Sequence, residues 1–246
     1  MTYVRVSGLS IRFPVYAVDH RSLKKHIVGA TVGGKVMAAS SGPPIISALR
    51  GVSLSLEPGD RLGLIGHNGS GKTTLLRALA GAYAPDEGKL EVRGRIASLL
   101  DLSLGVDPSA TGLENIRLRA MIAGLTKRQV DERMDEIAEF SGLGPYLAMP
   151  LKTYSAGMQA RLAFSVATSV EADVVLMDEW ISVGDASFRE ASHKRLTNMV
   201  DAASILVIAS HDVNTIRSYC TKVMRLEAGR ASPVVDINQL DDLIAA

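Results

Sequence analysis

Apolar and polar residues alternate over residues 2–13, and Val52, Leu54 and Leu56 alternate with Ser53, Ser55 and Glu57. That two-residue period is the mark of half-buried strands. Leu90 and Val92 repeat it after the turn Asp86-Glu87-Gly88, so an antiparallel sheet with one wet face is expected. Leu62–Ile65, Val174–Met177 and Ile205–Ala209 follow another pattern, with no polar position at all. Strands covered on both faces read this way, and the helical stretches between them predict a parallel α/β core.

A helical region separates the halves of that core. Thr111 and Glu114 are spaced as a capping box opening a helix with Leu113, Ile116, Ala120 and Ala123 on one side, and Gly124 ends it. Thr126 and Gln129 offer a second box, followed by the stripe Val130, Met134 and Ile137. A helical subdomain inserted over 111–170 is therefore expected within a single domain spanning 1–246. Residues 14–47 read as an insertion or loop: Leu23–Ile27 suits a short helix, but Gly33-Gly34 and Ser40–Pro44 break regular structure. A solvated loop is the plainer reading of this segment, and a basic turn touching a membrane surface or a partner is the alternative. Residues 230–246 form a short tail.

The chemistry starts where the first buried strand ends. Gly66-His67-Asn68-Gly69-Ser70-Gly71-Lys72-Thr73-Thr74 follows Leu62–Ile65 and precedes the apolar helix positions Leu75, Leu76 and Leu79. A GxxxxGK(S/T) loop in strand–loop–helix context wraps its backbone N–H groups around phosphates, and the helix N-terminus adds partial positive charge. Lys72 is placed to reach the β- and γ-phosphates, and the Thr73 hydroxyl to ligate Mg²⁺. Asp178 ends the second buried strand, at the edge where open α/β sheets bind ligands. It is the natural magnesium anchor, and Glu179 beside it can polarise an attacking water. His211, after the third strand, is either a polar cap or a γ-phosphate contact. Tyr154-Ser155-Ala156-Gly157-Met158 opens a helix with Met158, Leu162, Val166 and Val170 on its apolar face. Ser155 at its N-cap offers an anion site. It reaches the phosphates held by Lys72 only if the chain folds back, or if a second molecule brings it there.

Composition narrows the classes. The 246 residues carry 27 Lys plus Arg against 26 Asp plus Glu, a net charge of +1. Such a balance argues against a nucleic-acid coat. Cys220 is the single cysteine, which excludes an internal disulfide and fits a buried thiol in a reducing compartment. No apolar run approaches the roughly 18 residues of a membrane span, and the N-terminus lacks the apolar core of a signal peptide. A soluble intracellular protein that reaches a membrane only through a partner is expected.

Taken together, the loop, the Asp178-Glu179 pair and Tyr154–Met158 resemble the ATP-binding subunits of ABC transporters, and the resemblance covers nearly the whole chain. Tyr154–Met158 is similar to the family's signature, Ser182-Val183-Gly184-Asp185 to its D-loop, and His211 to its switch histidine. The fold implied is an α/β P-loop NTPase (RecA-like) core with an antiparallel β-subdomain and an inserted helical subdomain. The resemblance also implies a head-to-tail homodimer, with ATP between one subunit's loop and the other's Ser155 and Gly157. It implies Glu179 as general base, Lys72 and His211 at the phosphates, Asp178 and Thr73 at Mg²⁺, and Asp185 near the nucleotide. Phe13 and Tyr16 both lie where an aromatic stacks on adenine, and residues 90–115 lack the family's usual glutamine, whose place falls near Asp101 or Leu102.

Leu151–Ala163, Asp178–Asp185, Leu100–Val106 and Thr111–Asn115 are close to the branch exporting bacterial surface polysaccharides. That branch holds the KpsT and Wzt types and the teichoic-acid exporters. It implies an integral membrane permease as partner, a lipid-linked polysaccharide as cargo, and a peripheral place on the cytoplasmic face of the bacterial plasma membrane. The chain ends soon after Leu226–Gly229, so the carbohydrate-binding domain of some Wzt types is not expected. The competing readings are an ABC ATPase serving another cargo and a soluble, non-transport ABC ATPase.

Overall fold

The computed structural model describes residues 1–14, 36–37, 44–101, 105–181 and 185–245. Expectations for Tyr16, the Leu23–Ile27 turn, Leu102 and Ser182–Gly184 lie outside them. In chain order the first elements are β1 (Tyr3–Pro14), β2 (Val36–Met37), β3 (Ile45–Leu56), β4 (Arg61–Ile65), α1 (Lys72–Leu79), β5 (Glu87–Arg93) and β6 (Ile96–Leu99). Next come α2 (Gly112–Ile122), α3 (Lys127–Ser141), α4 (Ala156–Ala167), β7 (Val174–Asp178) and α5 (Ala186–Ala202). The last are β8 (Ile205–Ala209), α6 (Val213–Tyr219), β9 (Lys222–Glu227), β10 (Arg230–Ala231), β11 (Val235–Asp236) and α7 (Leu240–Ala245).

These elements form two compact units, the first made of residues 1–94, 176–179 and 204–246. It holds the expected antiparallel sheet, in the order β2-β3-β1-β5. Val4 faces Leu56 and Val92, and Val6 faces Leu54 and Leu90, so one row of apolar side chains is buried. The alternation then changes parity, from Val4 and Val6 to Leu9 and Ile11. Gly8, at φ 62, sits at this shift in register, where one extra residue turns the apolar set back to the core. β3 begins at Ile45, inside the segment expected to be a loop, because β1 runs on to Pro14 and pairs it. The second sheet of this unit has the order β10-β9-β4-β8-β7, with β4 parallel to both β8 and β9. All of Ile205–Ala209 and Val174–Met177 are buried, as their unbroken apolar runs require.

The second unit is residues 95–175 and 180–203, and it contains the helical stretch 111–170. Val174 and Val175, the first residues of β7, belong to it and lie beside β6. Both capping boxes form as the sequence dictates: Thr111 and Thr126 accept from the amides of Glu114 and Gln129, whose side chains accept in return. Ile116, Ala120, Val130, Met134, Ile137, Leu162, Val166 and Val170 share one core. Ala123, expected on that face, is exposed because α2 has already ended at Ile122. Asn115 and Arg119 are buried on α2 in addition to the predicted residues. Asn115 is satisfied there by donating to the carbonyls of Asp107, Ala110 and Thr111 and accepting from the Asp107 amide.

Candidate nucleotide site

In the first unit β4 delivers its chain end to a glycine-rich loop, and α1 starts at Lys72. Two glycines are dictated by space. A Cβ on Gly66, at φ 143, would lie 2.2 Å from the Leu226 carbonyl oxygen of β9, and one on Gly71, at φ 114, 2.8 Å from the Ala48 carbonyl oxygen of β3. The Gly229 amide donates to the Ser70 carbonyl over 2.9 Å, so the loop is seated on the β3 and β9 backbones. Lys72 Nζ donates to the carbonyls of Gly66 and His67, at 2.6 and 3.2 Å. His67 turns its Nδ1 to the Asn68 carbonyl, 2.8 Å away. The Ser70 hydroxyl is buried and has no partner among the described residues. Gly69, at φ 79, and Thr74 complete the stretch.

Asp178 and Glu179 part company at the end of β7. The Thr73 hydroxyl donates to Asp178 Oδ2 at 2.6 Å, which joins the two residues expected at magnesium. Glu179 has left-handed backbone, φ 72, a conformation that costs a non-glycine residue roughly 1–2 kcal/mol. Its amide donates to the Ala209 carbonyl at 2.8 Å. Its Oε1 accepts from the amide and Nδ1 of His211, at 3.0 and 2.7 Å, and its Oε2 from the Ser210 hydroxyl at 2.7 Å. Burial raises the Glu179 carboxyl pKa, but the hydrogen bonds from Ser210 and His211 outweigh it and hold the group below the ordinary carboxylate value. The group is ionised at neutral pH, with its charge held by neighbours.

The sequence reading places Glu179 and His211 in the phosphate site separately and includes neither their contact nor Ser210. The available signal was a serine closing an otherwise apolar strand, since a buried hydroxyl must find a partner. Phe13 packs edge-on against Tyr83, ring centroids 5.1 Å apart, within this unit.

In the second unit Ser155 is the N-cap of α4, as read from the sequence, its hydroxyl accepting from the Met158 amide. A Cβ on Gly157 would meet nothing closer than Ser155 Oγ at 3.9 Å. Tyr154 is buried and donates from its hydroxyl to the Tyr146 carbonyl at 2.6 Å, anchoring the start of this stretch. Asp185 caps α5 by accepting from the Phe188 amide, and lies 3.7 Å from Arg161. Asp101, near the missing glutamine's place, bears electrostatically on buried Arg119.

A parallel core strand feeding a glycine loop, with a hydroxyl and a carboxylate joined behind its lysine, defines a P-loop NTPase. The chain belongs to the ABC transporter family, whose description matches residues 49–182, and it is an ABC-type ATPase that binds ATP. It is 37% identical to the O-antigen export system ATP-binding protein RfbE of Yersinia enterocolitica, over 93% of this chain and 96% of that one. It is 41% identical to the O-antigen export protein RfbB of Myxococcus xanthus over 75% of this chain, and 40% identical to the teichoic acids export protein TagH of Lactococcus lactis over 74%. It spans only 42% and 39% of those two longer proteins. Among solved structures, an ATP-binding subunit of an ABC transporter matches with TM-score 0.70 and 20% identity, over 99% of this chain and 94% of that one. A dimeric ATP-binding cassette bound to ADP and Pi matches with TM-score 0.66 and 18% identity, over 95% and 98%. These likenesses establish the fold expected from the sequence, an α/β P-loop NTPase core.

Proposed function

We propose that this ATPase drives export of a lipid-linked polysaccharide across the bacterial cytoplasmic membrane. The observation that carries this reading is the end-to-end match to an O-antigen export ATPase, at 37% identity over 93% of the chain. The protein would act as a peripheral subunit on the cytoplasmic face, docked on an integral membrane permease and paired with a second copy of itself. Among the described residues no helix is long and apolar enough to cross a membrane, and in this reading the permease carries the membrane attachment.

Within this reading the loop from Gly66 to Thr74 binds the triphosphate, and Lys72 exchanges loop carbonyls for β- and γ-phosphate oxygens. Thr73 and Asp178 offer hard oxygen donors already in contact, a donor set that fits Mg²⁺. Magnesium bound there supplies charge neutralisation at the phosphates. Glu179 accepts the proton of the attacking water, and His211 contacts the γ-phosphate. Ser155, Gly157 and Asp185 serve the nucleotide of the partner copy, with adenine against Phe13 or Tyr16.

Purification of the tagged protein from detergent-solubilised native membranes tests the export reading. A stoichiometric integral membrane protein carrying a glycolipid is expected, and a membrane-free preparation without such a partner would overturn it. Glu179→Gln tests the chemistry. Turnover should fall by about 10²–10⁴, the usual contribution of a general base, with ATP binding kept and an ATP-bound dimer accumulating. Wild-type turnover by that variant would remove Glu179 from its role.

A further inference from the structure

Glu179 is held from both sides, and the two sides differ. Oε1 accepts from the His211 amide and ring, while Oε2 accepts only from the Ser210 hydroxyl among the bonds described. His211 is exposed, its side chain 83% accessible, whereas Ser210 is 2% exposed. The Ser210 hydroxyl is itself fixed, because it accepts from the Asp212 amide at 3.0 Å. Ser210 follows Ala209, whose carbonyl takes the Glu179 amide. The strand end therefore grips the backbone and the inner carboxylate oxygen of a residue whose left-handed conformation would not persist unaided.

We propose that Ser210 is the positioning residue of the hydrolytic base: it pins Oε2 so that Oε1 is the oxygen that takes the proton. The inference rests on the assignment of Glu179 as general base. When the exposed His211 ring turns away to a phosphate, Oε1 loses its ring partner, while Ser210 keeps the carboxylate from rotating. The water oxygen then bonds to the γ-phosphorus as the bond from that phosphorus to the β–γ bridging oxygen breaks. The electron pair of the broken bond leaves with ADP, and the water's proton passes to Oε1. Ser210 touches none of these reacting atoms. Its contribution is to keep one carboxylate oxygen occupied and the other aimed, because orientation at a reacting centre controls rate steeply.

Ser210→Ala, Ser210→Thr and the double variant Ser210→Ala/Glu179→Gln test this in the full-length protein. Ser210→Ala should lower kcat roughly 10- to 100-fold, the size set by a hydrogen bond to a charged group. KM and directly measured ATP affinity should stay within about twofold, because the loss falls on the transition state and not on ground-state binding. Ser210→Thr, which keeps the hydroxyl, should recover most of the rate. In the Glu179→Gln background the alanine change should have no further effect, since the oxygen it positions is no longer a base. A wild-type kcat for Ser210→Ala overturns the proposal, and so does an equal loss in both backgrounds, which would mark a purely structural serine. Wild-type turnover by Glu179→Gln alone would instead bring down the underlying assignment of the base.

Discussion

Ser155 offers a separation of structural from functional roles. In the folded chain its hydroxyl accepts one hydrogen bond, from the Met158 amide at 3.3 Å, in an exposed setting. That is a long, single bond, whereas the Thr111 hydroxyl accepts from the Glu114 amide, and the Thr111 hydroxyl and amide both donate to the Glu114 carboxylate. Ser155→Ala should therefore cost about 0.5–1 kcal/mol, the lower part of the range for helix caps. For a chain of this size that corresponds to a thermal midpoint lowered by about 1–4 °C. Ser155→Asp keeps a capping acceptor and adds favourable charge at the α4 N-terminus, so its stability should match or exceed wild type. If Ser155 also meets the partner copy's nucleotide, the same aspartate sets a carboxylate against phosphates. ATP-dependent dimerisation, read by size exclusion in the Glu179→Gln background, should then be lost in a variant as stable as wild type. Urea unfolding supplies the stability arm. A Ser155→Asp variant that dimerises and turns over normally would show the hydroxyl to be a cap and nothing more. A Ser155→Ala loss above about 3 kcal/mol would contradict the cap geometry itself.

Gly66→Ala puts a methyl group 2.2 Å from the Leu226 carbonyl oxygen at a backbone φ of 143, so β9 must move. A loss of about 3 kcal/mol or more in urea unfolding and loss of ATP binding are expected, and retained wild-type affinity would refute the seating of the loop. Cys220 is buried, and burial pushes its thiol up to about 12 against the opposing pull of Arg61. At pH 8 only about 10⁻⁴ of it is thiolate, so it should resist thiol reagents until the protein unfolds. Labelling of the native protein at the rate of a free thiol would contradict that burial.

Much of this was readable from residue order because the physics is local. An unbroken apolar run such as Ile205–Ala209 has no face to show water, and a Thr three residues before a Glu or Gln has few uses better than a capping box. The parity change at Gly8 was less legible. A strand pattern counts residues, and a bulge adds one without altering the composition. Ala123 misled because helical spacing extends past the place where a helix stops; α2 ends at Ile122 although the stripe continues in the sequence.

The acid pair shows where reading by position reaches its natural end. Two carboxylates at a strand terminus announce a phosphate site, but adjacent side chains on a continuing strand would point to opposite faces. The chain resolves this by twisting Glu179 into left-handed backbone. Asp178 stays with the strand and meets Thr73 at the head of α1. Glu179, its amide tied to Ala209, delivers its carboxylate to Ser210 and His211 at the end of β8. One strained residue thus separates two identical charges, one joined to Thr73 and the other to Ser210 and His211. The strain of roughly 1–2 kcal/mol is offset by bonds to an ionised acceptor, each typically worth about 1.5–3 kcal/mol. The residue types of the pair follow from its chemistry, while its division follows from the neighbouring strand, brought alongside only when the sheet forms.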